Sequence, residues 1–216
     1  MKQFVIIGLG TFGHFLATNL YKKGHEVLAI DINEELVQAV KDEVSQAVVA
    51  DATDKDALLS LGVQKVDSAI VCIGSIMEAS ILCTLNLKDM GVKQILGKAT
   101  SKTHSRLLHK VGASDVIFPE RDQAALLSEQ LHNPSIIGTM TLVEGYNIVE
   151  FSPLKKFIGK SLKSLDLINK YGVQVLAIKE LIPSKTTMIP TGEYIVKDSD
   201  LMIMLGPKNA FEKLKK

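Results

Sequence analysis

The sequence contains no tryptophan, only two cysteines and no proline before residue 119. No apolar run approaches the roughly 18–20 residues of a membrane-spanning helix, and the N-terminal segment lacks the long apolar core of a signal peptide. The 25 lysines and arginines are balanced by 24 aspartates and glutamates. A non-specific nucleic-acid binder needs a clustered excess of cations. These absences exclude nucleic acid as a partner and favour a protein without a membrane segment.

The two cysteines predict no disulfide and no metal pair. Cys72 lies in an apolar run and Cys83 in a helical pattern, and no histidine is close to either in the sequence. Small, buried, reduced cysteines are the usual outcome of such a pattern in a reducing compartment. We therefore expect both thiols to be part of the protein core.

Charge and proline divide the chain into two unlike parts. Residues 1–132 carry 13 lysines and arginines against 16 acidic residues, whereas residues 133–216 carry 12 against 8. All six prolines lie beyond residue 118. We therefore predict two domains, 1–133 and 134–216, with a crossover helix over 120–133 at the end of the first.

Short apolar runs alternate with helical patterns through the first 119 residues. The runs are Phe4–Ile7, Val27–Ile30, Ala47–Ala50, Ala69–Ile73, Ile95–Leu96 and Val116–Phe118. The helical patterns are carried by 12–20, 33–40, Lys55–Leu61, Ile76–Met90, Ser101–Val111 and 120–132. Strands that are apolar on both faces and alternate with helices are typical of a parallel sheet covered on both sides. The first domain is thus predicted to be a Rossmann-like, doubly wound α/β fold.

The second part of the chain has a different pattern. Its strand-like runs are Ile148–Phe151, Val173–Ile178 and Leu201–Leu205, and its helical patterns are Leu162–Lys170 and Lys208–Lys216. A proline-bearing loop is expected over Ile182–Gly192. These elements predict a small α+β domain.

Three glycines, Gly8, Gly10 and Gly13, lie where the first strand turns into the first helix. In this arrangement the first glycine permits a tight turn, the second lets a pyrophosphate approach the backbone, and the third lets helix and strand pack closely. Asp31 ends the second strand, at the place of a carboxylate that binds ribose hydroxyls. Because Ile32 and not an arginine follows it, free ribose hydroxyls fit better than the 2′-phosphate of NADP. The alternative is a ligand-free glycine turn with Asp31 as an ordinary turn residue.

Small or polar residues also follow the other predicted strands. Ligands of open α/β sheets bind at the carboxyl ends of the strands, so these residues predict an adenine-nucleotide crevice with one cation and one distal carboxylate. They are Asp51 and Ala52, Gly74 and Ser75, Lys98, Ala99 and Thr100, and Glu120, with His104 in reach of a phosphate from the next helix. The alternative roles are helix caps for Asp51 and Thr100, a solvated cation for Lys98, a first helical turn for Glu120, and an exposed helix histidine for His104.

Residues for hydride-transfer chemistry are not found in the sequence. No tyrosine is followed four residues later by lysine. Apart from His104, no histidine lies at a predicted strand end, where an acid or base would be needed. The sequence therefore favours a nucleotide that acts as a signal, in a protein that is not an enzyme. The alternatives are an NAD-dependent oxidoreductase and a Rossmann methyltransferase.

Several segments together resemble the Ktr/Trk-type RCK proteins, the KtrA/TrkA family. In the first part these are Phe4–Gly13, Val27–Asn33, Asp51–Thr53, Val71–Gly74, Gly112–Ala113 and Phe118–Glu120. In the second part, Tyr171–Lys179 and Asp200–Gly206 resemble the C-terminal RCK (TrkA-C) domain of the same proteins. The resemblance covers essentially the whole chain and includes strand-end residues that other Rossmann families lack.

The resemblance implies a cytosolic regulatory subunit of a potassium uptake system. Members assemble as homo-oligomeric rings, typically octameric, beneath a membrane-embedded potassium-translocating subunit of the KtrB/TrkH type. They gate that partner by binding ATP or ADP, and AMP and NAD(H) belong to the same ligand class. The expected location is the cytoplasm, peripheral to the inner face of the cell membrane through the partner.

The resemblance also implies roles for individual residues. Gly8, Gly10 and Gly13 would hold the phosphates, with Thr11 and Phe12 in the same turn. Asp31 would bind the ribose, and Asp31-Ile32-Asn33 with Asp51-Ala52 would frame the adenosine. Ile73-Gly74-Ser75, Lys98-Ala99-Thr100 and His104 would line the rest of the site. Glu120 corresponds to a carboxylate where a divalent cation can sit between subunits.

One position departs from the family pattern. Relatives usually carry arginine directly after the second motif glycine, where it meets the terminal phosphate, and this chain has Thr11. A hydroxyl cannot supply the bidentate, charge-assisted pairing of a guanidinium. We therefore expect weaker discrimination of ATP from ADP or AMP than in those relatives.

The second domain is a candidate for another ligand. Some members of the resembled family bind cyclic di-AMP where two such domains meet. The residues that would line that site here are Ile168, Asn169, Val175, Ile189 and Pro190. The alternative is that these residues serve core or dimer packing alone.

Overall fold

A computed structural model describes residues 1–132, 134–181 and 184–214. The chain divides into two compact units, Met1–Arg121 and Asp122–Lys216, which we call unit 1 and unit 2. The predicted domain boundary at residues 133 and 134 involves Asn133, which lies outside the described residues, and this boundary stays a prediction.

Unit 1 is built from alternating strands and helices. Its strands are β1 (Gln3–Ile7), β2 (Glu26–Asp31), β3 (Gln46–Val49), β4 (Ser68–Val71), β5 (Ile95–Lys98) and β6 (Asp115–Ile117). Its helices are α1 (Thr11–Lys22), α2 (Glu34–Val40), α3 (Lys55–Ser60), α4 (Met77–Asp89) and α5 (Lys102–Val111), and α6 (Pro119–His132) leads on into unit 2. Short 3₁₀ turns follow α2 at Lys41–Glu43 and α3 at Val63–Lys65.

All strand pairs of unit 1 that the structure describes are parallel, in the order β3-β2-β1-β4-β5-β6. This order places the reversal of winding between β1 and β4, where open α/β sheets bind their ligands. The predicted Rossmann-like fold is confirmed.

The central strands of unit 1 are buried because helices cover both faces of the sheet. Val5 and Ile7 of β1 pack with one group of apolar side chains, and Ile6 packs with another, so successive residues face opposite layers. Cys72 and Cys83 are buried and free, as predicted. Burial raises the pKa of each thiol to about 12, because a thiolate would lose its hydration.

Unit 2 contains a second, smaller sheet in the order β10-β9-β11-β8-β7, and its described strand pairs are antiparallel. Its strands are β7 (Ile136–Val143), β8 (Tyr146–Phe151), β9 (Gln174–Glu180), β10 (Lys185–Met188) and β11 (Asp200–Pro207). Its short helices are α7 (Leu162–Leu165), α8 (Leu167–Tyr171) and α9 (Ala210–Lys213). Phe151, Met202 and Phe211 are central members of its core. The predicted α+β class is confirmed.

Two strands of unit 2 correct the sequence-based prediction. The loop predicted over Ile182–Gly192 instead contains β10, and Ile182 itself lies outside the described residues. No strand was predicted over β7, which forms the other edge of the sheet. β10 is largely polar and gives no apolar signal, whereas β7 carries one that the prediction missed, since Met140 and Leu142 alternate with Thr139 and Thr141.

Among the described residues, no helix is both long enough and apolar enough to cross a membrane. This finding agrees with the absence of long apolar runs in the sequence.

Candidate functional site

The candidate site lies at the carboxyl edge of the unit 1 sheet, around the turn from β1 to α1. Gly8 has a φ of +95°, which favours glycine. A methyl group on Gly8 would lie 2.9 Å from the carbonyl carbon of Cys72 and from the nitrogen of Ile73. The turn therefore packs directly against the segment that follows β4, on the other side of the winding reversal.

Position 13 requires glycine because of an even closer contact. A Cβ at this position would lie 1.9 Å from the carbonyl oxygen of Gly8, where no side chain fits. Helix α1 can therefore approach β1 only with glycine here, as its third place in the motif predicts.

Gly10 differs from both of these glycines. Its φ of −57° suits any residue, and a Cβ on it would meet no protein atom within 4 Å. Gly10 is also the N-cap of α1, where no side chain caps the helix and no acidic residue occupies the first turn. Nothing in the chain itself requires glycine at this position, so the open space beside it fits an external anion at a helix N-terminus.

Asp31 is held by backbone groups on two sides. Its carboxylate accepts the N–H of Leu9 at 2.6 Å and the N–H of Asn33 at 2.8 Å. The first bond ties the end of β2 to the glycine turn, and the second begins α2, which Asn33 caps by accepting from Glu35. Each carboxylate oxygen has a further lone pair, so Asp31 can still accept a ribose hydroxyl.

Lys98 is the cation of the site. Its ammonium lies 2.6 Å from Glu120 Oε1 and 5.7 Å from the ring centroid of Phe12 in the first turn of α1. A Cβ on Gly74 would lie 3.9 Å from the same Nζ. The Lys98 side chain is only 13% exposed, so the alternative of a solvated cation is wrong.

Glu120 lies in the first turn of α6, with an exposed side chain. The hydrogen bond from Lys98 holds the pKa of Glu120 below its usual range, since the bond stabilises the charged carboxylate. The ion pair therefore joins the end of β5 to the beginning of α6.

Asp51 organises the loop after β3. It accepts the backbone N–H of Thr53 at 2.9 Å and its hydroxyl at 2.7 Å, and these bonds lower the pKa of Asp51. Helix α3 is capped by Asp54 and α5 by Ser101, so the alternative of helix caps at Asp51 and Thr100 is wrong. Asn86 of α4 donates to the Thr53 carbonyl at 2.9 Å and thereby anchors this loop.

His104 requires a correction. Its side chain is fully buried, so it is not an exposed helix histidine. One ring nitrogen lies 3.3 Å from the backbone nitrogen of Thr100, and the other lies 3.2 Å from Ser80 Oγ. While these bonds are formed, the ring does not reach a phosphate, because it points inward.

The remaining predicted residues divide into buried and exposed positions. Ala52 and Ala99 are buried in the core of unit 1, so only their backbone can face a ligand. Thr11, Ile32 and Ser75 are exposed at this edge. The structure brings the glycine turn, Asp31, Lys98 and Glu120 to one edge of the sheet.

The donors for a divalent cation are incomplete within the part of the chain that the structure describes. No group of three or more histidine, cysteine or acidic side chains gathers there. Glu120 is paired with a cation instead. A metal ion at Glu120 would need further oxygen ligands, such as phosphate oxygens or groups of a second subunit.

Unit 2 contains a cavity of about 360 Å³ beside α7 and α8. Four of the five predicted lining residues, Ile168, Asn169, Val175 and Pro190, line it. The fifth, Ile189, is not among its lining residues and is 81% exposed, with a φ of +49°.

The sequence-based prediction did not include two buried residues that hydrogen-bond to segments of the site. Ser80 and Asn86 are buried polar side chains of α4. Ser80 bonds to His104 of α5, and Asn86 bonds to the loop after β3. The sequence gives no clear signal for them, because α4 carries other polar residues and the two partners lie far away in the chain.

Comparison with known proteins shows which family the chain belongs to. Residues 4–119 match the TrkA-N domain and residues 148–216 match the TrkA-C domain. The chain is 38% identical to Ktr system potassium uptake protein A of Bacillus subtilis over 96% of its length and 92% of that protein. It is 36% identical to the Vibrio alginolyticus protein of the same name, over 96% and 94% respectively.

The chain belongs to the Ktr/TrkA family. The resemblance noted from the sequence motifs is thereby confirmed over both units.

Solved structures share the Ktr/TrkA fold at low sequence identity. The GsuK channel matches 99% of the chain with a TM-score of 0.70 and 18% identity. A GsuK channel described as bound to NAD matches with a TM-score of 0.65 and 17% identity. The chain spans 39% of each of these channel chains, so the likeness shows the fold alone.

Two glycine substitutions should have unequal effects on stability. We expect Gly13→Ala to lower the free energy of unfolding of unit 1 by about 3 kcal/mol, because the new methyl group overlaps the Gly8 carbonyl. Gly10→Ala should change it by less than about 1 kcal/mol, because the restriction of the unfolded chain is offset by the poorer N-cap preference of alanine. Urea denaturation of the ligand-free variants measures both. A similar loss in the two variants would contradict the open space beside Gly10.

Proposed function

We propose that the chain is a regulatory subunit of a potassium uptake system that binds an adenine nucleotide at the carboxyl edge of the unit 1 sheet. The observation that carries this proposal is Gly10, a glycine that no protein contact requires, at the N-terminus of α1. Two relatives of the chain are named Ktr system potassium uptake protein A, and this name supports a role in potassium uptake.

The site fits the parts of an adenine nucleotide. The N-terminus of α1 and the backbone around Gly10 suit the phosphates. Asp31 suits the ribose hydroxyls, and Lys98 adds a cation on the phosphate side of the turn. ATP, ADP and AMP share these features, and the related GsuK channel described as bound to NAD supports NAD(H) as a further ligand.

The chain acts as a sensor and not as an enzyme in this proposal. His104, the histidine closest to the site in the sequence, is fully buried and has partners on both ring nitrogens. An acid or base for hydride transfer must reach the substrate. An NAD-dependent oxidoreductase is the alternative, and sustained oxidation or reduction of NAD(H) with a small metabolite would favour it.

Regulation would follow from unequal binding to two arrangements of a homo-oligomeric ring, an octamer in this proposal. A ligand shifts such an equilibrium only by the difference of its affinities for the two states. ATP and ADP differ by one charged phosphoryl group. The ring would act on a membrane-embedded potassium-translocating subunit of the KtrB/TrkH type, which places this chain at the cytoplasmic face of the membrane.

A divalent cation held by Glu120 and a second subunit belongs to the same proposal.

Isothermal titration calorimetry on the ligand-free protein tests the nucleotide site. We expect Gly10→Ala to weaken binding of ATP, ADP and NAD by at least about tenfold, because the methyl group occupies the space of the pyrophosphate. Lys98→Ala should weaken ATP binding by about tenfold through loss of a charge-assisted bond.

Lys102→Ala is the matched control, since Lys102 is an exposed lysine four residues away. It should bind like the unchanged protein. No measurable binding of any of the three nucleotides by the unchanged protein would refute the proposal. Undiminished binding by a folded Gly10→Ala variant would show that the nucleotide lies elsewhere.

Thr11 should set the selectivity among nucleotides. We expect the unchanged protein to discriminate ATP from ADP and AMP weakly, and Thr11→Arg to raise the ratio of ATP to ADP affinity by about tenfold. Thr11→Gln, which is long but uncharged, should leave the ratio unchanged. ATP binding at least about a hundredfold tighter than ADP or AMP binding in the unchanged protein would contradict this expectation.

The cavity of unit 2 favours a second candidate ligand, cyclic di-AMP, where two copies of unit 2 meet. Apolar residues and Asn169 surround a volume of about 360 Å³, in the range of small-molecule sites. The amide of Asn169 donates to Asp166 at 2.6 Å and keeps its oxygen for a ligand.

Calorimetry with cyclic di-AMP tests this second site. We expect Asn169→Ala to weaken binding by about tenfold, because a ligand group loses its hydrogen-bond partner. Asn209→Ala, at an exposed asparagine of unit 2, is the control. Absence of binding by the unchanged protein would leave the cavity with a packing role alone.

A further inference from the structure

His104 has hydrogen-bond partners on both ring nitrogens. The backbone nitrogen and the hydroxyl oxygen of Thr100 each lie 3.3 Å from its Nδ1, and Ser80 Oγ lies 3.2 Å from its Nε2. A backbone N–H can only donate, so its bond requires Nδ1 as the acceptor, and the Thr100 hydroxyl can donate to the same atom. This arrangement assigns the proton of the neutral ring to Nε2, which then donates a hydrogen bond to Ser80 Oγ.

The surroundings of the ring favour this neutral form. His104 and Ser80 are both fully buried. Burial lowers the pKa of His104, because a charged imidazolium would lose its hydration. A proton on Nδ1 would also face the N–H of Thr100 and break that bond, so that only the hydroxyl of Thr100 could pair with Nδ1.

The bond to Thr100 acts on the segment that carries the cation of the candidate site. Lys98 lies two residues before Thr100, and between them the N–H of Ala99 donates to the Ile117 carbonyl at 2.8 Å. The next backbone N–H, that of Thr100, is held by His104 alone among the bonds described. The ring therefore connects this segment to Ser80, which lies on α4.

We propose that His104 is a positioning residue: its neutral, Nε2-protonated ring bridges α4 and the loop after β5 and holds the Lys98–Thr100 segment in place for a nucleotide. It does so without touching the ligand. This role rests on the proposed nucleotide-binding function.

Two amide substitutions separate the two bonds of the ring. In His104→Asn the side-chain oxygen stands near the place of Nδ1 and can still accept from Thr100. In His104→Gln the amide nitrogen stands near the place of Nε2 and can only serve Ser80. We expect ATP affinity within about threefold of the unchanged protein for His104→Asn, and a loss of about tenfold or more for His104→Gln. Equal losses in the two variants would overturn the proposal.

A second pair of variants controls for the loss of a buried polar group. Thr84 is fully buried one turn after Ser80, and its hydroxyl donates within α4 to the Ser80 carbonyl at 2.8 Å. We expect Thr84→Val to leave ATP affinity unchanged, whereas Ser80→Ala, which like His104→Asn breaks only the bond between the ring and α4, weakens it by about threefold. Equal weakening would mean that packing of α4 matters and the ring does not.

The tautomer of His104 can be measured on the unchanged protein, and a variant is needed only to assign its signal. Long-range proton–nitrogen NMR correlation of histidine-labelled protein at pH 7 distinguishes the protonation states of the five histidines. The His104 signal, assigned by its loss in His104→Asn, should show a neutral ring protonated on Nε2. A charged ring or a proton on Nδ1 would overturn the proposal.

The outcomes also separate this proposal from the function on which it rests. If the unchanged protein binds no nucleotide, both are refuted. If it binds ATP and all His104 variants bind equally well, the nucleotide site stands and only the positioning role is lost.

Discussion

The contact between Gly8 and Gly13 is the constraint on which the candidate site depends. Because the Gly8 carbonyl occupies the space of a side chain at position 13, α1 comes closer to β1 than any other residue would allow. The same turn presses Gly8 against the backbone after β4. Two strands and a helix N-terminus are thus held together, and Gly10 stands free at the point where they meet.

Helix α4 supports the same edge from behind. Its Ser80 is bonded to His104, which holds the loop after β5, and its Asn86 holds the loop after β3 at Thr53. The helix itself follows Gly74 and Ser75 after β4. The buried side of one helix therefore contacts the loop after β3 directly and the loop after β5 through His104.

The fold of unit 1 could be predicted because strands buried on both faces leave continuous apolar runs, such as Val5–Ile7. The strand β10 could not, because three of its four residues are polar, and β7 was missed although Met140 and Leu142 alternate with threonines. At the site, the glycine turn and Asp31 were predictable because their spacing follows from local geometry. The inward position of His104 was not, because its partner Ser80 is 24 residues earlier in the chain.

In the proposed nucleotide site, a phosphate near Lys98 would compete with Glu120 for the same ammonium group. One ammonium group cannot neutralise two anions at full strength, so a phosphate that approaches Lys98 weakens its hold on Glu120. Glu120 begins α6, the helix that continues into unit 2. In the proposed nucleotide site, the negative charge of a bound phosphate would therefore bear on the first turn of the helix that leads from unit 1 into unit 2.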